Sequence, residues 1–271
     1  MDITNRSDIV DWLGERVDAV GFAPVERFEE APEAHHPSTL LKGARTVIVL
    51  ARAIPRGIFY SPEYSLYFLH RSYHTTYNEL DSLALDVVRH IEAGGELAVP
   101  VPAYAPLKVE ETGAWGLLSL KHAAVLGGLG AIGKGGLVLN EKFGSRLRFG
   151  AVVTTAELEP SSIVEELPCP PGCTACIESC PNNAFEEGNF NKVMCGRTSI
   201  GHAIYPLAFA ADRSPENREL VFNTAGYNYW VKCLECQKVC PLNRYHREGQ
   251  PAGRREALVV EPCPRGNASR S

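Results

Sequence analysis

Nine cysteines, all at or after Cys169, are the residues of this 271-residue chain best suited to chemistry. Eight of them form a pattern: Cys169-PPG-Cys173-TA-Cys176-IES-Cys180-Pro181, an isolated Cys195, then Cys233-LE-Cys236-QKV-Cys240-Pro241. Both groups end in C-x-x-C-x-x-x-C-P. Thiolates are soft ligands that suit zinc and iron–sulfur centres. Cys173, Cys176, Cys233 and Cys236 have the spacing of a four-cysteine zinc site. Zinc would leave Cys180 and Cys240 without a task, although each stands at the same spacing and precedes a proline.

The repeated spacing matches the closing portion of the bacterial ferredoxin run C-x2-C-x2-C-x3-C-P. There, three close thiolates hold one cubane and the fourth serves its neighbour. Applied here, one [4Fe-4S] cluster takes Cys169, Cys173, Cys176 and Cys240, and a second takes Cys180, Cys195, Cys233 and Cys236. The three-residue gap after Cys169 departs from the ferredoxin spacing, and a long helical insert, Thr198–Trp230, interrupts the second motif. Trp230 is expected to shield the second cluster from water, which would tune its potential. His202 and Tyr205, in the same insert, are expected to pack. Cys263, in a Pro-Cys-Pro tail, is a bystander.

A second segment could also do chemistry. Ala124–Leu139 reads AVLGGLGAIGKGGLVL, in which Gly128, Gly130 and Gly133 fit G-x-G-x-x-G. Gly128, Gly133 and Lys134 fit the start of a P-loop. The dinucleotide fingerprint must follow a strand and open a helix, whereas these glycines follow a helical stretch and precede a strand. The P-loop needs Ser or Thr after its lysine to hold magnesium, and this chain has Gly135. Two readings stay open: Gly127–Gly136 is a helix stop and tight turn, or its bare backbone approaches a large flat ligand.

The elements that must position these residues are legible in outline. Helical periodicity covers Asn5–Val20 and Tyr67–Ala93, the latter stopped by Gly94–Gly95, and Leu117–Leu126 is also expected to be helical. Thr46–Leu50, Ala98–Val101, Gly135–Asn140 and Arg148–Thr154 read as strands. His35–His36, before a proline, are expected on a loop surface. Residues 1–160 therefore form an α/β domain, a mixed sheet flanked by helices. Residues 161–250 form an α+β bacterial-ferredoxin-like domain for two clusters, and 251–271 a tail.

Bulk properties narrow the function classes. The net charge of -5, from 27 basic and 32 acidic residues, gives no general attraction to nucleic acid. The N-terminus lacks the pattern of a secretion signal, and no apolar run approaches the ~20 residues that span a bilayer. A cytoplasmic protein without membrane attachment is expected. Nine cysteines in a reducing compartment point to metal rather than to disulfides.

The combination of motifs resembles a known family. GGLGAIGKGGLVLNEKFGSRLRFGAVVTT, followed by C-x2-C-x3-C-P, the isolated Cys195 and a second C-x2-C-x3-C-P, is similar to the epoxyqueuosine reductases. The reductive dehalogenases share the iron–sulfur module. The similarity runs from about Thr46 to Arg244 and includes the Tyr73–His74 pair. The resemblance implies an N-terminal α/β domain that holds cobalamin and two [4Fe-4S] clusters that feed it electrons. By position it sets Gly133, Lys134, Val138 and Phe149 near the corrinoid. No D-x-H-x-x-G stretch is present for a histidine-ligated corrinoid.

The chain departs from that family at two points. The family's aspartate general acid, aligned on Pro106, falls at Ala103, or without gaps near Ala114, and neither is acidic. Tyr104, Glu110 and His122 are the replacement candidates, although Glu110 beside Glu111 also fits solvated surface. The chain ends soon after the second motif, without the helical-repeat extension of many tRNA-acting members. Together with the acidic balance, this makes tRNA an unlikely partner. Expected partners are a redox protein (flavodoxin, ferredoxin or reductase) and a small-molecule or corrinoid ligand. The expected function is an iron–sulfur oxidoreductase that relays electrons to a corrinoid. The alternative is a non-catalytic ferredoxin-type carrier or corrinoid-reducing partner.

Overall fold

The computed structural model describes residues 5–104, 107–110, 113–166, 169–186, 189–202 and 229–244. Strands β1 (Ala19–Pro24), β2 (Thr46–Ala53) and β3 (Ala98–Val101) come first along the chain. The hairpin β4 (Leu107–Glu110) and β5 (Gly113–Gly116), the short pair β6 (Ala131–Ile132) and β7 (Val138–Leu139), and the long strand β8 (Leu147–Thr154) follow. β1, β2, β8 and β3 form one sheet in that order, with Gly21 opposite Val49, Val49 opposite Ala151, and Ala151 opposite Val101. Every pair in this sheet is antiparallel.

The two central strands are buried on both faces, which explains their unbroken apolar runs. Helix α1 (Arg6–Leu13) starts in a capping box between Asn5 and Asp8, and α2 (Pro37–Leu40) is a single short turn. Helix α3 (Ser65–Ala93) covers one face of the sheet. Its Leu80, Ala84, Val87 and Ile91 recur at helical spacing and meet Ile48, Leu50 and Val152. Gly150 makes this approach possible, because a Cβ there would stand 3.2 Å from that of Leu80. On the opposite face, α4 (Leu120–Leu126) packs Ala123 and Ala124 against Val47, Val49 and Ala151. No helix of the described residues is long and apolar enough to cross a membrane.

The expected sheet flanked by helices is present, with local corrections. The helical stretch expected over Asn5–Val20 stops at Leu13, continues as a 3-10 turn to Arg16, and gives way to β1. Strand β1, which contains Gly21 and ends at Pro24, was not among the expected elements. Gly21 is needed where the chain crosses Gly127, whose carbonyl oxygen would lie 2.3 Å from a Cβ. The strand expected over Gly135–Asn140 shrinks to Val138–Leu139, and the β4–β5 hairpin was not foreseen. His35 is buried rather than on a loop surface, with its ring 5.7 Å from that of Trp115.

Beyond Cys169 the elements are short: α5 (Ala175–Glu178), β9 (Phe185–Glu186) paired with β10 (Asn189–Phe190), and α6 (Lys192–Ser199). Strands β11 (Ile200–His202) and β12 (Tyr229–Val231) then pair, with Ile200 opposite Val231, before a last short helix, Glu235–Lys238. The helical insert expected over Thr198–Trp230 therefore starts in the last residues of α6, runs into β11 and returns in β12. Residues 203–228, with Tyr205, lie outside the described residues, as does Cys263.

Candidate functional site

Each cysteine motif folds as a loop leading into a single turn of helix. Cys173 N–H donates to the Pro170 carbonyl at 3.1 Å, Cys176 sits within α5, and Cys180 N–H donates to the Ile177 carbonyl at 3.2 Å. The second motif repeats this arrangement, with Cys236 in the helix Glu235–Lys238 and Cys240 as the cap of the 3-10 turn Pro241–Asn243. The two helices lie against each other. The β11–β12 pairing joins the chain after α6 to the chain before Cys233, reinforced by Lys232 N–H donating to the Ser199 carbonyl at 2.8 Å. Pairing of distant strands thus brings Cys195 to the second motif.

Between these loops and the glycine segment is a cavity. Its walls include Cys169, Cys173, Cys176, Cys236 and Cys240, together with Gly135, Leu137, Leu139 and Ser145. Burial pushes up the pKa of the Cys176 thiol first, and the neighbouring Cys169 and Cys173 add to the shift. Burial, then Cys169 and Cys176, raises that of Cys240. Cys233 is raised by burial, by Glu235, and by Cys195 and Cys180. Burial pushes Cys236 up to about 12, and Cys233, Cys195, Cys176 and Cys180 contribute. Cys236 has neighbours from both groups of thiols and also lines the cavity with Cys169, Cys173, Cys176 and Cys240.

Among the described residues, no three His, Cys, Asp or Glu side chains converge as a single metal ion requires. A cubane takes one thiolate per iron, so its four sulfurs stand around a volume rather than around a point. Thiols distributed around a cavity fit that group better than they fit zinc, whose four ligands meet at about 2.3 Å from one ion.

The glycines are placed by this centre. A Cβ on Gly133 would lie 2.3 Å from Leu139 Cδ1 and 3.3 Å from Cys169 Sγ, and one on Gly135 would lie 3.2 Å from Cys176 Sγ. Gly130 adopts φ +149° with the Leu139 carbonyl oxygen 2.1 Å from where its Cβ would be. Within the chain this segment therefore packs closely on itself and on the cysteines. Of the four residues the resemblance sets beside a corrinoid, Gly133, Val138 and Phe149 are buried, the last two in the core. Lys134 is exposed and donates to the Cys173 carbonyl at 3.0 Å.

Of the proton-donor candidates, Tyr104 and His122 stand apart from the cavity walls. His122 is exposed on the first turn of α4, its Nδ1 2.6 Å from Ser119 Oγ. Tyr104 stacks on Tyr77, with ring centroids 5.8 Å apart, and burial pushes its hydroxyl up to about 12. Glu110 ends β4, opposite Gly113, and Glu111 lies outside the described residues. The backbones of His202 and Trp230 lie in β11 and β12.

A buried polar network was missed by sequence reasoning. Arg148 on β8 donates to Gln237 Oε1 at 2.8 Å and to the Tyr73 hydroxyl, with its guanidinium 4.3 Å from the Tyr73 ring centroid. Gln237 Nε2 also donates to Tyr73, at 2.9 Å. Asn243 Nδ2 donates to Ser145 Oγ and to the Gln237 carbonyl, both at 2.8 Å, and its Oδ1 accepts from Ser145 N–H at 3.0 Å. Together these bonds fasten the second cysteine motif to α3 and β8. Only the Tyr73–His74 pair hinted at it in the sequence.

Comparison with known proteins bears out the resemblance. No family model matches the chain. Curated relatives are named epoxyqueuosine reductase. The protein of Staphylococcus aureus is 24% identical over 95% of this chain and 68% of its own length. That of Bacillus cereus is 25% identical over 84% of this chain and 61% of its own. That of Prochlorococcus marinus is 34% identical over 44% of this chain and 35% of its own. The chain therefore spans about two thirds or less of these relatives' lengths.

Solved structures agree on the fold. The epoxyqueuosine reductase of Streptococcus thermophilus superposes with a TM-score of 0.55 at 20% identity, covering 91% of this chain and 67% of that one. A second, at TM-score 0.53 and 21% identity over 88% and 64% of the two chains, is an epoxyqueuosine reductase with an epoxyqueuosine-modified tRNA stem loop. This overturns the expectation that tRNA is an unlikely partner. Net charge describes the whole surface, whereas a nucleic acid meets a local one, so -5 excludes nothing.

Proposed function

We propose that this chain is an iron–sulfur reductase of the epoxyqueuosine reductase type, with two [4Fe-4S] clusters in a ferredoxin-like C-terminal module. Cys169, Cys173, Cys176 and Cys240 would hold one, and Cys180, Cys195, Cys233 and Cys236 the other. The observation that carries the reading is the cavity walled by the first four thiols, with the glycine loop stripped of side chains where it meets Cys169 and Cys176. The clusters supply single-electron transfer. The protein's own residues would hold them, and the Arg148–Gln237–Asn243 network anchors the second cysteine motif to the α/β domain.

The substrate class supported by the relatives is an epoxide-bearing modified nucleoside in a tRNA stem loop, in a cytoplasmic setting where thiols stay reduced. A corrinoid as the immediate electron acceptor is supported by the resemblance, and no step is assigned to it. The carrier reading is favoured by one observation, since neither Tyr104 nor His122 lines the thiol cavity.

Anaerobic purification with iron and sulfide analysis tests the centre: about eight irons per chain are expected. Two or fewer would sink the cluster pair. Cobalamin added to the reduced protein should co-elute and change its spectrum. Reduction of a modified tRNA stem loop separates the enzyme from the carrier, which would reduce added cobalamin or a partner without turning over the nucleoside.

A further inference from the structure

A second cavity, of about 320 Å³, opens between α3 and the C-terminal end of β2. It shares no residue with the thiol cavity. On α3 its wall is Arg71, Ser72, Thr75 and Thr76, which three- and four-residue spacings set on one side of the helix. Arg52 and Ala53 come from β2, and Asp18 stands just before β1. The helix gives up apolar packing here. Leu69 and Leu80 are fully buried in two different apolar clusters, and Thr76 stands between them, at helical spacing from both and 8% exposed. That position belongs to the buried stripe, where a hydroxyl is costly unless it has something to bond.

Arg52 is drawn in as well. Its Nη1 donates to the Glu15 carbonyl at 3.3 Å, whereas its Nε is buried, makes no hydrogen bond among the described residues, and lies 3.6 Å from Glu79 Oε2. The other acid of the wall, Asp18, is already engaged, its Oδ2 accepting from Ala53 N–H at 2.8 Å. Behind the wall, Arg146 is 7% exposed and donates to the Ile54 carbonyl at 2.8 Å, and its Nε too is buried without a hydrogen bond among the described residues. Ile54 lies between Ala53 and Pro55, both in the wall. Guanidinium forks beside hydroxyls are the donors that match a tetrahedral oxyanion. The volume has room for more than a bare phosphate, since small-molecule sites begin at about 300 Å³.

We propose that this cavity is a binding subsite for a phosphate ester, with Arg71 and Arg52 gripping the phosphate oxygens and the Thr76 hydroxyl donating from the buried side. An RNA strand and a free nucleotide-sized molecule present the same oxyanion to it. The inference does not rest on the cluster reading, and a chain without iron would leave it standing.

Calorimetric titration of the full, anaerobically purified chain with inorganic phosphate and with adenosine monophosphate tests this, alongside fluorescence anisotropy with a labelled, unmodified RNA stem loop. One saturable site is expected, weakened about tenfold or more in Arg71→Gln, which removes charge-assisted bonds from an exposed side chain. Thr76→Val keeps the shape of the wall and should weaken the same binding several-fold while the melting temperature holds or rises. A threonine that only fills the core would leave binding unchanged. Lys42→Gln, beyond the opposite end of β2, removes the same charge and should change nothing. Loss of stem-loop binding in both cavity variants, with phosphate as a competitor, assigns the ester to RNA. Loss of adenosine monophosphate binding alone assigns it to a free molecule. No saturable binding of any of the three probes, binding that either cavity variant leaves intact, or an equal loss in Lys42→Gln would overturn the inference.

Discussion

Gly133→Ala isolates the reason for the glycine segment. Gly133 is absent from the left-handed residues of this chain, so alanine meets no backbone penalty and the substitution tests space alone. Its Cβ would fall 2.3 Å from Leu139 Cδ1, 2.7 Å from Leu139 Cγ and 3.3 Å from Cys169 Sγ, where ordinary contact begins at 3.4 Å. Leu139 is 5% exposed and belongs to β7, so it must move by more than an ångström inside a packed layer. Overpacking of this kind costs about 1–3 kcal/mol. For a chain of this size that lowers the melting temperature by roughly 2–12 °C. Because the same Cβ presses on Cys169, iron content should fall toward half, with the cluster of Cys169, Cys173, Cys176 and Cys240 lost first. Gly57→Ala, where nothing lies within 4 Å, is the control and should change neither quantity. The measurements are scanning fluorimetry and iron analysis on anaerobically purified protein. A Gly133→Ala protein with parental melting temperature and iron would refute the claim that these glycines exist to let the loop seat against the cysteines.

Two further outcomes follow from buried groups. Asn243→Ala removes the partners of Ser145 N–H, Ser145 Oγ and the Gln237 carbonyl, each loss worth about 1–3 kcal/mol when the group stays dry. A total near 3 kcal/mol is expected by urea unfolding of the loaded protein, and a change under 1 kcal/mol would show that water replaces the side chain. Asp81 is held above its usual carboxylate range by burial, against the opposing 2.7 Å hydrogen bond from Ala103 N–H. The folded chain then binds more protons than the unfolded one, so this group lowers stability as pH rises through the carboxylate range. Asp81→Asn should flatten that part of the stability–pH profile while keeping an acceptor for Ala103; an unaltered slope would mean that the carboxyl titrates normally.

Sequence alone determined what depends on residue type and local spacing. Six thiols in a doubled C-x2-C-x3-C-P pattern, with Cys169 and Cys195 beside them, carry the proposed iron–sulfur ligation, because each x2 gap spans one turn of chain whatever surrounds it. The β-branched runs at Thr46 and Arg148 specify central strands, and the periodicity through Leu80, Ala84, Val87 and Ile91 specifies α3. Composition misled where it was asked about a place: net charge said nothing about a local surface for tRNA.

What the tertiary structure decided are the meetings of distant segments. The crossing of Gly21 on Gly127 made a strand of a glycine- and proline-containing stretch. The β11–β12 pairing, not the spacing, brings Cys195 to Cys233. Buried polar side chains carry no periodicity, so Arg148, Gln237 and Asn243 were silent until the fold brought them together. The glycine segment shows the division most plainly. Its residue types announced that bare backbone was needed, and only packing in three dimensions showed that the side chains making room necessary are Leu139, Cys169 and Cys176.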